Sequence, residues 1–154
     1  LAVALMELNG FTGKDFAKYH PGGNLGKRLY LRVNDLYKLN EKPAVLAVAN
    51  LKDVIVEITS KRLGVTAVTD VENNLHGIIT DGDLRRMLEK SENLTTIKAK
   101  DIASFSPKTI SADALAIQAF EVFKTYDITH LLVVNNQQYL GVLHLHDLVR
   151  EGIL

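Results

Sequence analysis

Two stretches hold the residue types best suited to chemistry, and they are copies of one another. The first, Gly77-Ile-Ile-Thr-Asp-Gly-Asp-Leu-Arg-Arg86, sets Thr80 three residues ahead of Asp83. The second, Gly141-Val-Leu-His-Leu-His-Asp-Leu-Val-Arg150, sets His144 and Asp147 at the same spacing. Gly77 matches Gly141, Leu84 matches Leu148, and Arg86 matches Arg150. Each copy reads as a short apolar strand that hands over to a helix. Unpaired backbone N–H groups at such a helix start, aided by its dipole, attract anions such as phosphate. A carboxylate at Asp83 suits the vicinal diol of a ribose, and Thr80 adds a hydroxyl. The same Thr-x-x-Asp spacing is also a capping pattern that starts helices without binding anything. The residues alone support both readings.

Other candidates carry less. His20 opens His20-Pro-Gly-Gly-Asn-Leu-Gly26-Lys-Arg28, a glycine-rich loop. This is not a P-loop, because the spacing from Gly22 to Gly26-Lys27 is short and Arg28 stands where Ser or Thr is required. By residue type, His20 is a loop or helix-end histidine. His144 and His146 alternate at strand spacing and so share a face, with Asp147 next. A zinc site needs further ligands, and His130 reaches them only through the fold. No resident metal or cofactor is expected. His76, Arg85 and Arg86 read as surface residues, and Phe120, Phe123 and Tyr126 as core.

The elements that position the two turns repeat as well. Residues 1–9 are good helix formers and Asp15–Tyr19 suits one further turn. Pro43–Val48 reads as a buried strand. Asn50 caps a helix with Leu51, Val54, Ile55 and Ile58 on one face, and Gly64 ends it. Val65–Thr69 and Leu75–Thr80 are strands about a turn at Glu72–Asn74, and a helix covers Gly82–Glu89. After a polar linker over 91–100 the order recurs: a strand at Pro107–Ile110, a helix capped by Ser111, and strands at Ile128–Val134 and Tyr139–His144. A final helix begins near His146 or Asp147. The period of about 64 residues suits two small β-α-β-β-α domains rather than a solenoid. Neither has much core alone, so the class is α+β with the two repeats packed sheet against sheet.

Eighteen basic residues balance eighteen acidic ones in a chain of 154 residues, which argues against a nucleic-acid or anionic-membrane surface. No cysteine is present, excluding disulfides, thiolate metal sites and a cysteine nucleophile. The apolar opening Leu1–Met6 is too short to span a bilayer, and a cytoplasmic location is expected. A chain that starts without Met inside an apolar run reads as part of something longer.

The doubled β-α-β-β-α order and the Gly-apolar-apolar-Thr-x-x-Asp signature resemble a tandem pair of CBS domains, named for cystathionine β-synthase. The resemblance implies a regulatory pair that holds a nucleotide between its repeats, with Asp83 and Asp147 toward ribose and Thr80 toward phosphate. Strand starts at Val65-Thr66 and Ile128-Thr129 would contribute too, while His144, in place of a threonine, departs from the pattern. Upstream, Gly10-Phe-Thr-Gly-Lys-Asp15-Phe-Ala, His20-Pro-Gly-Gly-Asn-Leu-Gly26 and Leu31-Arg-Val-Asn-Asp35 are similar to the junction of bacterial D-arabinose 5-phosphate isomerases. There a sugar isomerase domain precedes a CBS pair. The resemblance implies a remnant of the isomerase domain at 1–30, carrying a catalytic histidine at His20, with CBS domains at 31–95 and 96–154. It further implies homodimers through the pairs, a tetrameric parent, and a role in making 3-deoxy-D-manno-octulosonate for lipopolysaccharide or capsule. A CMP-activated octulosonate, its carboxylate held by His144, is the expected ligand. A generic adenylate sensor, an isomerase active by itself, a metal binder and a purely oligomerising pair are the alternatives.

Overall fold

The computed structural model describes residues 24–153; the expectations for residues 1–23, including His20, lie outside them. Helix α1 (Asn24–Tyr30) and a short helix α2 (Val33–Leu36) lead through a 3-10 turn at Tyr37–Leu39 into the first repeat. That repeat comprises β1 (Ala44–Leu46), α3 (Leu51–Lys61), β2 (Val65–Thr69), β3 (Leu75–Thr80) and α4 (Asp81–Lys90). A short helix α5 (Ala99–Ile102) opens the second, followed by β4 (Thr109–Ser111), α6 (Ala116–Tyr126), β5 (His130–Asn135), β6 (Gln138–His144) and α7 (Leu145–Arg150). Each repeat makes a three-stranded sheet, ordered β1-β2-β3 and β4-β5-β6, whose first pair is parallel and second antiparallel. The α+β class with two like repeats is as the sequence reads.

Local chemistry accounts for most boundaries. The Asn50 side chain accepts from the Asp53 N–H at 2.9 Å and starts α3. That helix stops earlier than Gly64 suggests: Arg62, at φ 60°, is the left-handed cap, and Gly64 follows at φ 72°. Ser111 does not cap α6. It ends β4 and its hydroxyl accepts from the Asp113 N–H at 3.2 Å, while Leu115 occupies the cap position. α7 likewise starts with its cap at His144, so His144 and His146 do not share a strand face.

All five residues of β2 are buried, because both faces of its sheet are covered. On one face Val65 and Ala67 meet Leu132, Tyr139 and Val142 of the other sheet, giving the expected sheet-on-sheet core. The Tyr139 hydroxyl crosses this layer to donate to the Pro43 carbonyl at 2.7 Å. The other faces are covered by an exchange. Leu31, Val33, Leu36 and Tyr37 pack among Phe123, Leu131, Leu143, Leu148 and Ile153 of the second repeat. Reciprocally, Ala99, Ile102 and Ala103 pack among Val45, Val54, Ile58, Val68 and Ile79 of the first. Backbone bonds fasten both: Val33 N–H to Ala114 O at 2.9 Å, and Ala99 N–H to Ala49 O at 2.9 Å. Each repeat's core is therefore completed by a segment of chain that precedes the other repeat.

The exchange explains why each copy carries glycine at the head of the motif. A Cβ at Gly77 would stand 2.7 Å from the carbonyl oxygen of Ser104, and one at Gly141 would stand 2.8 Å from the Tyr37 ring. Each glycine admits the entering segment of the partner repeat. Gly77→Ala is expected to lower stability by about 1–3 kcal/mol through this overpacking, read as a lower urea midpoint at unchanged slope.

Candidate functional site

The turn at Thr80 forms a complete capping box. The Thr80 N–H and hydroxyl donate to Asp83 Oδ2 at 2.8 and 3.0 Å, and the Asp83 N–H donates to Thr80 Oγ1 at 3.2 Å. Only Asp83 Oδ1 is left, and it accepts from Arg86 at 2.5 Å. The capping role is thus real. It leaves one oxygen whose partner, a side chain 62% exposed, is free to exchange.

This turn lies at the rim of a cleft of about 540 Å³ between the repeats. The first repeat supplies Gly64, Thr80, Asp81, Asp83 and Arg86, and the second supplies Ser104, Ser106, Lys108, Thr129 and His130 among others. Ser104 comes to the cleft because its backbone pairs with Ile78 in both directions, at 2.9 and 3.0 Å. The cleft holds three carboxylates (Asp81, Asp83, Asp127) and two permanent cations (Arg86, Lys108). Thr80, Asp83, Ile128 and Thr129 are brought together there. Val65 and Thr66 are not: both are fully buried, and the Thr66 hydroxyl donates to the Ala67 carbonyl at 3.2 Å. Strand pairing gives the reason. Val65 lies opposite Thr80 and His130 opposite His144, so the counterparts of Ile128-Thr129 are Leu63-Gly64.

His144 and Asp147 are also taken up elsewhere. Asp147 is 4% exposed and accepts from the His144 N–H at 2.8 Å, the Asn40 amide at 2.7 Å, and Arg150. His144 Nδ1 accepts from the His146 N–H at 2.9 Å, and its ring meets His130 edge-on with centroids 4.7 Å apart. His130 in turn has Nε2 2.6 Å from the Leu63 carbonyl and Nδ1 3.1 Å from the Thr129 hydroxyl. An imidazole that accepts at Nδ1, as His144 does from the His146 N–H, is neutral. Burial, with His144 beside it, holds His130 below the ordinary imidazole range against the pull of the Leu63 carbonyl and Asp81. Burial also lowers His144, opposed by Asp147. A cationic His144 holding a carboxylate is therefore replaced by a neutral capping histidine. Among the described residues no group of three His, Cys, Asp or Glu side chains is placed to hold a metal ion.

The sequence reading missed Arg86, Lys108 and His130 as cleft residues, and Asn40 altogether. Only Arg86 carried a signal, through its repeated spacing from Asp83.

A model of the CBS domain matches residues 33–90 and again residues 99–153. The chain belongs to the CBS-domain family. Its whole length is 41% identical to part of arabinose 5-phosphate isomerase KdsD of Yersinia pestis and 39% identical to part of that of Escherichia coli K12, covering 47% of each. The chain thus spans about half the length of the curated relatives it matches. Among solved structures, the CBS-domain protein ATU1752 of Agrobacterium tumefaciens aligns with a TM-score of 0.68 at 18% identity, over 79% of this chain and 93% of that one. CBSX2 in complex with AMP aligns at 0.64 and 18%, over 80% and 97%. PAE2072 of Pyrobaculum aerophilum, complexed with AMP, aligns at 0.66 and 25%, over 77% and 90%. Among the described residues no helix is long and apolar enough to cross a membrane.

These two histidines give a pH dependence. Burial holds both below the ordinary imidazole value in the folded chain, so the unfolded chain binds more protons once the pH falls below that value. Stability is expected to fall from about pH 6.5 downward. Urea midpoints at pH 7.5 and 5.5 check this: the drop should shrink in a His130→Gln, His144→Gln variant.

Proposed function

We propose that this CBS pair is the regulatory half of an arabinose 5-phosphate isomerase and senses a nucleotide in the cleft between its repeats. The observation that carries the proposal is the cleft itself, where the Thr80–Asp83 cap and Arg86 of one repeat face Lys108 and Thr129 of the other. Asp83 Oδ1 would exchange Arg86 for a ribose diol, and the released guanidinium would join Lys108 in meeting phosphate. Identity to the isomerases over the whole chain supplies the parent. The catalytic role of His20, the sugar-isomerase remnant at 1–30 and the cytoplasmic, octulosonate-making setting belong to this proposal. So do a tetrameric parent and a homodimer of pairs. An apolar groove lined by Leu51, Ile55, Val56 and Leu94 offers a surface for that homodimer.

The ligand's identity has two readings. A CMP-activated octulosonate fits feedback by a pathway end product, its phosphate and sugar carboxylate now assigned to Arg86 and Lys108 rather than to His144. AMP or another adenylate is favoured by the AMP complexes of two structural neighbours. Calorimetry with the CMP-sugar, CMP, AMP and ATP decides between them, by which binds most tightly. In either case Asp83→Ala should weaken binding by about 1–3 kcal/mol, with a cap loss of about 1 kcal/mol in stability. Unchanged affinity in that variant would remove Asp83 from the site.

The folded body of residues 31–153 consists of the two repeats, so the chain alone is expected to leave arabinose 5-phosphate unconverted. A coupled assay for ribulose 5-phosphate checks this, and turnover above buffer would contradict the regulatory reading.

A further inference from the structure

The duplicated turn implies two ligand clefts related by the pseudo-symmetry of the pair, yet the two turns differ in what reaches them. At the first, the crossing segment arrives as backbone: Ser104 pairs with Ile78 through its main chain, leaving a small hydroxymethyl at the cleft. At the second, the crossing segment arrives as a side chain. The Asn40 amide donates to the carbonyl of Val142, the counterpart of Ile78, at 3.0 Å and to Asp147 Oδ2 at 2.7 Å. Asn40 is held in place by the turn before it, whose Tyr37 ring seats on Gly141.

The consequence for the carboxylates is large. Asp83 is 18% exposed and Asp147 only 4%. In both, Oδ1 pairs with an exposed arginine three residues on, so the difference lies at Oδ2, which takes the Thr80 hydroxyl in the first copy and the Asn40 amide in the second. The residue at the cap differs in the same sense, since His144 sets an imidazole where the first turn has the Thr80 hydroxyl. That imidazole, half-buried, lies edge-on against His130.

We infer that the pair holds one nucleotide, in the Thr80–Asp83 cleft, and that Asn40, backed by His144, seals the equivalent position over Asp147. This rests on the nucleotide reading above. Its physical basis is that a ribose reaches a carboxylate only where the carboxylate itself meets solvent, as Asp83 does at 18% exposure and Asp147, with the Asn40 amide on it, does not at 4%. Opening the second position means displacing Asn40, which would strand its amide and the Val142 carbonyl in a half-buried place.

Calorimetric stoichiometry with AMP and with CMP tests the inference on the intact chain. One nucleotide per chain is expected for the natural sequence, with a loss of about 5- to 150-fold in affinity on Asp83→Ala. An Asn40→Ala, His144→Thr variant, shown to keep its circular dichroism and cooperative melting, should bind two. Adding Asp83→Ala to that variant should return the count to one. Two nucleotides bound by the natural sequence would overturn the inference while leaving the nucleotide reading intact. One bound by the folded double variant would overturn the role of Asn40. No binding of either nucleotide would remove the inference together with the reading on which it rests.

Discussion

Reciprocal exchange of the two entry segments is the constraint on which the rest of the pair depends. A three-stranded sheet with one long helix leaves part of one face bare, and chain from the opposite repeat covers it in both cases. The hydrophobic gain of that cover is available only while both repeats are folded, so neither repeat has a complete core of its own. The close approach of Ser104 to Gly77 and of Tyr37 to Gly141 follows directly, as does the shared layer closed by Tyr139. The same exchange builds the cleft, because Ser104, Ser106 and Lys108 reach the first repeat's turn as part of the crossing chain.

Duplication fixed the strand-turn-helix frame in both copies but not the function of its carboxylate. Each aspartate sits at the third helical position and accepts from the cap residue's N–H at 2.8 Å. Each also pairs with an arginine three residues on. Up to this point the copies are equivalent, and both are structural. Divergence comes from the cap residue, Thr80 against His144, and from outside the motif, in whether backbone or an amide side chain crosses over the turn. A helix cap and a ligand site are therefore not exclusive alternatives here. The cap orients the carboxylate, and the surroundings decide how far it meets solvent.

Such surroundings explain what was legible in the sequence. The glycine, the apolar pair and the Thr-x-x-Asp spacing are local, and local bonding makes them, so the two turns, the strands before them and the Asn50 cap could be read from residues alone. Ser111 misled because a serine before a helical run suits a turn as well as a cap, and the turn at Asp113 won. Val65 and Thr66 mislead because matching the starts of the two apolar runs sets Val65 beside Ile128, whereas strand pairing sets Val65, opposite Thr80, beside His130, opposite His144. Asn40 had no sequence signal, since its partners Val142 and Asp147 lie far along the chain and meet it only through the exchange. The neutrality of His144 has no signal in the sequence for a related reason: it depends on the His146 N–H held at its Nδ1 and on burial, both products of the fold.

The geometry also constrains how occupancy of the cleft would be communicated. A ligand there would touch α4 through Thr80 and Asp83, and the second repeat through Lys108 and Thr129. Such a ligand shifts an equilibrium only if it binds one relative placement of the repeats more tightly than another. Lys108 follows the crossing segment and precedes β4, and Thr129 precedes β5, so a pull on either is applied to the sheet that packs against β2 and β3. That sheet carries Leu143, and its helix α7 carries Leu148; both hold α2 and the turn after it, while α1 is tied to the chain end through Lys27 and Glu151 at 3.2 Å. Movement at the cleft thus has a continuous path of packed side chains and backbone to α1, on the side where residues 1–23 join the pair.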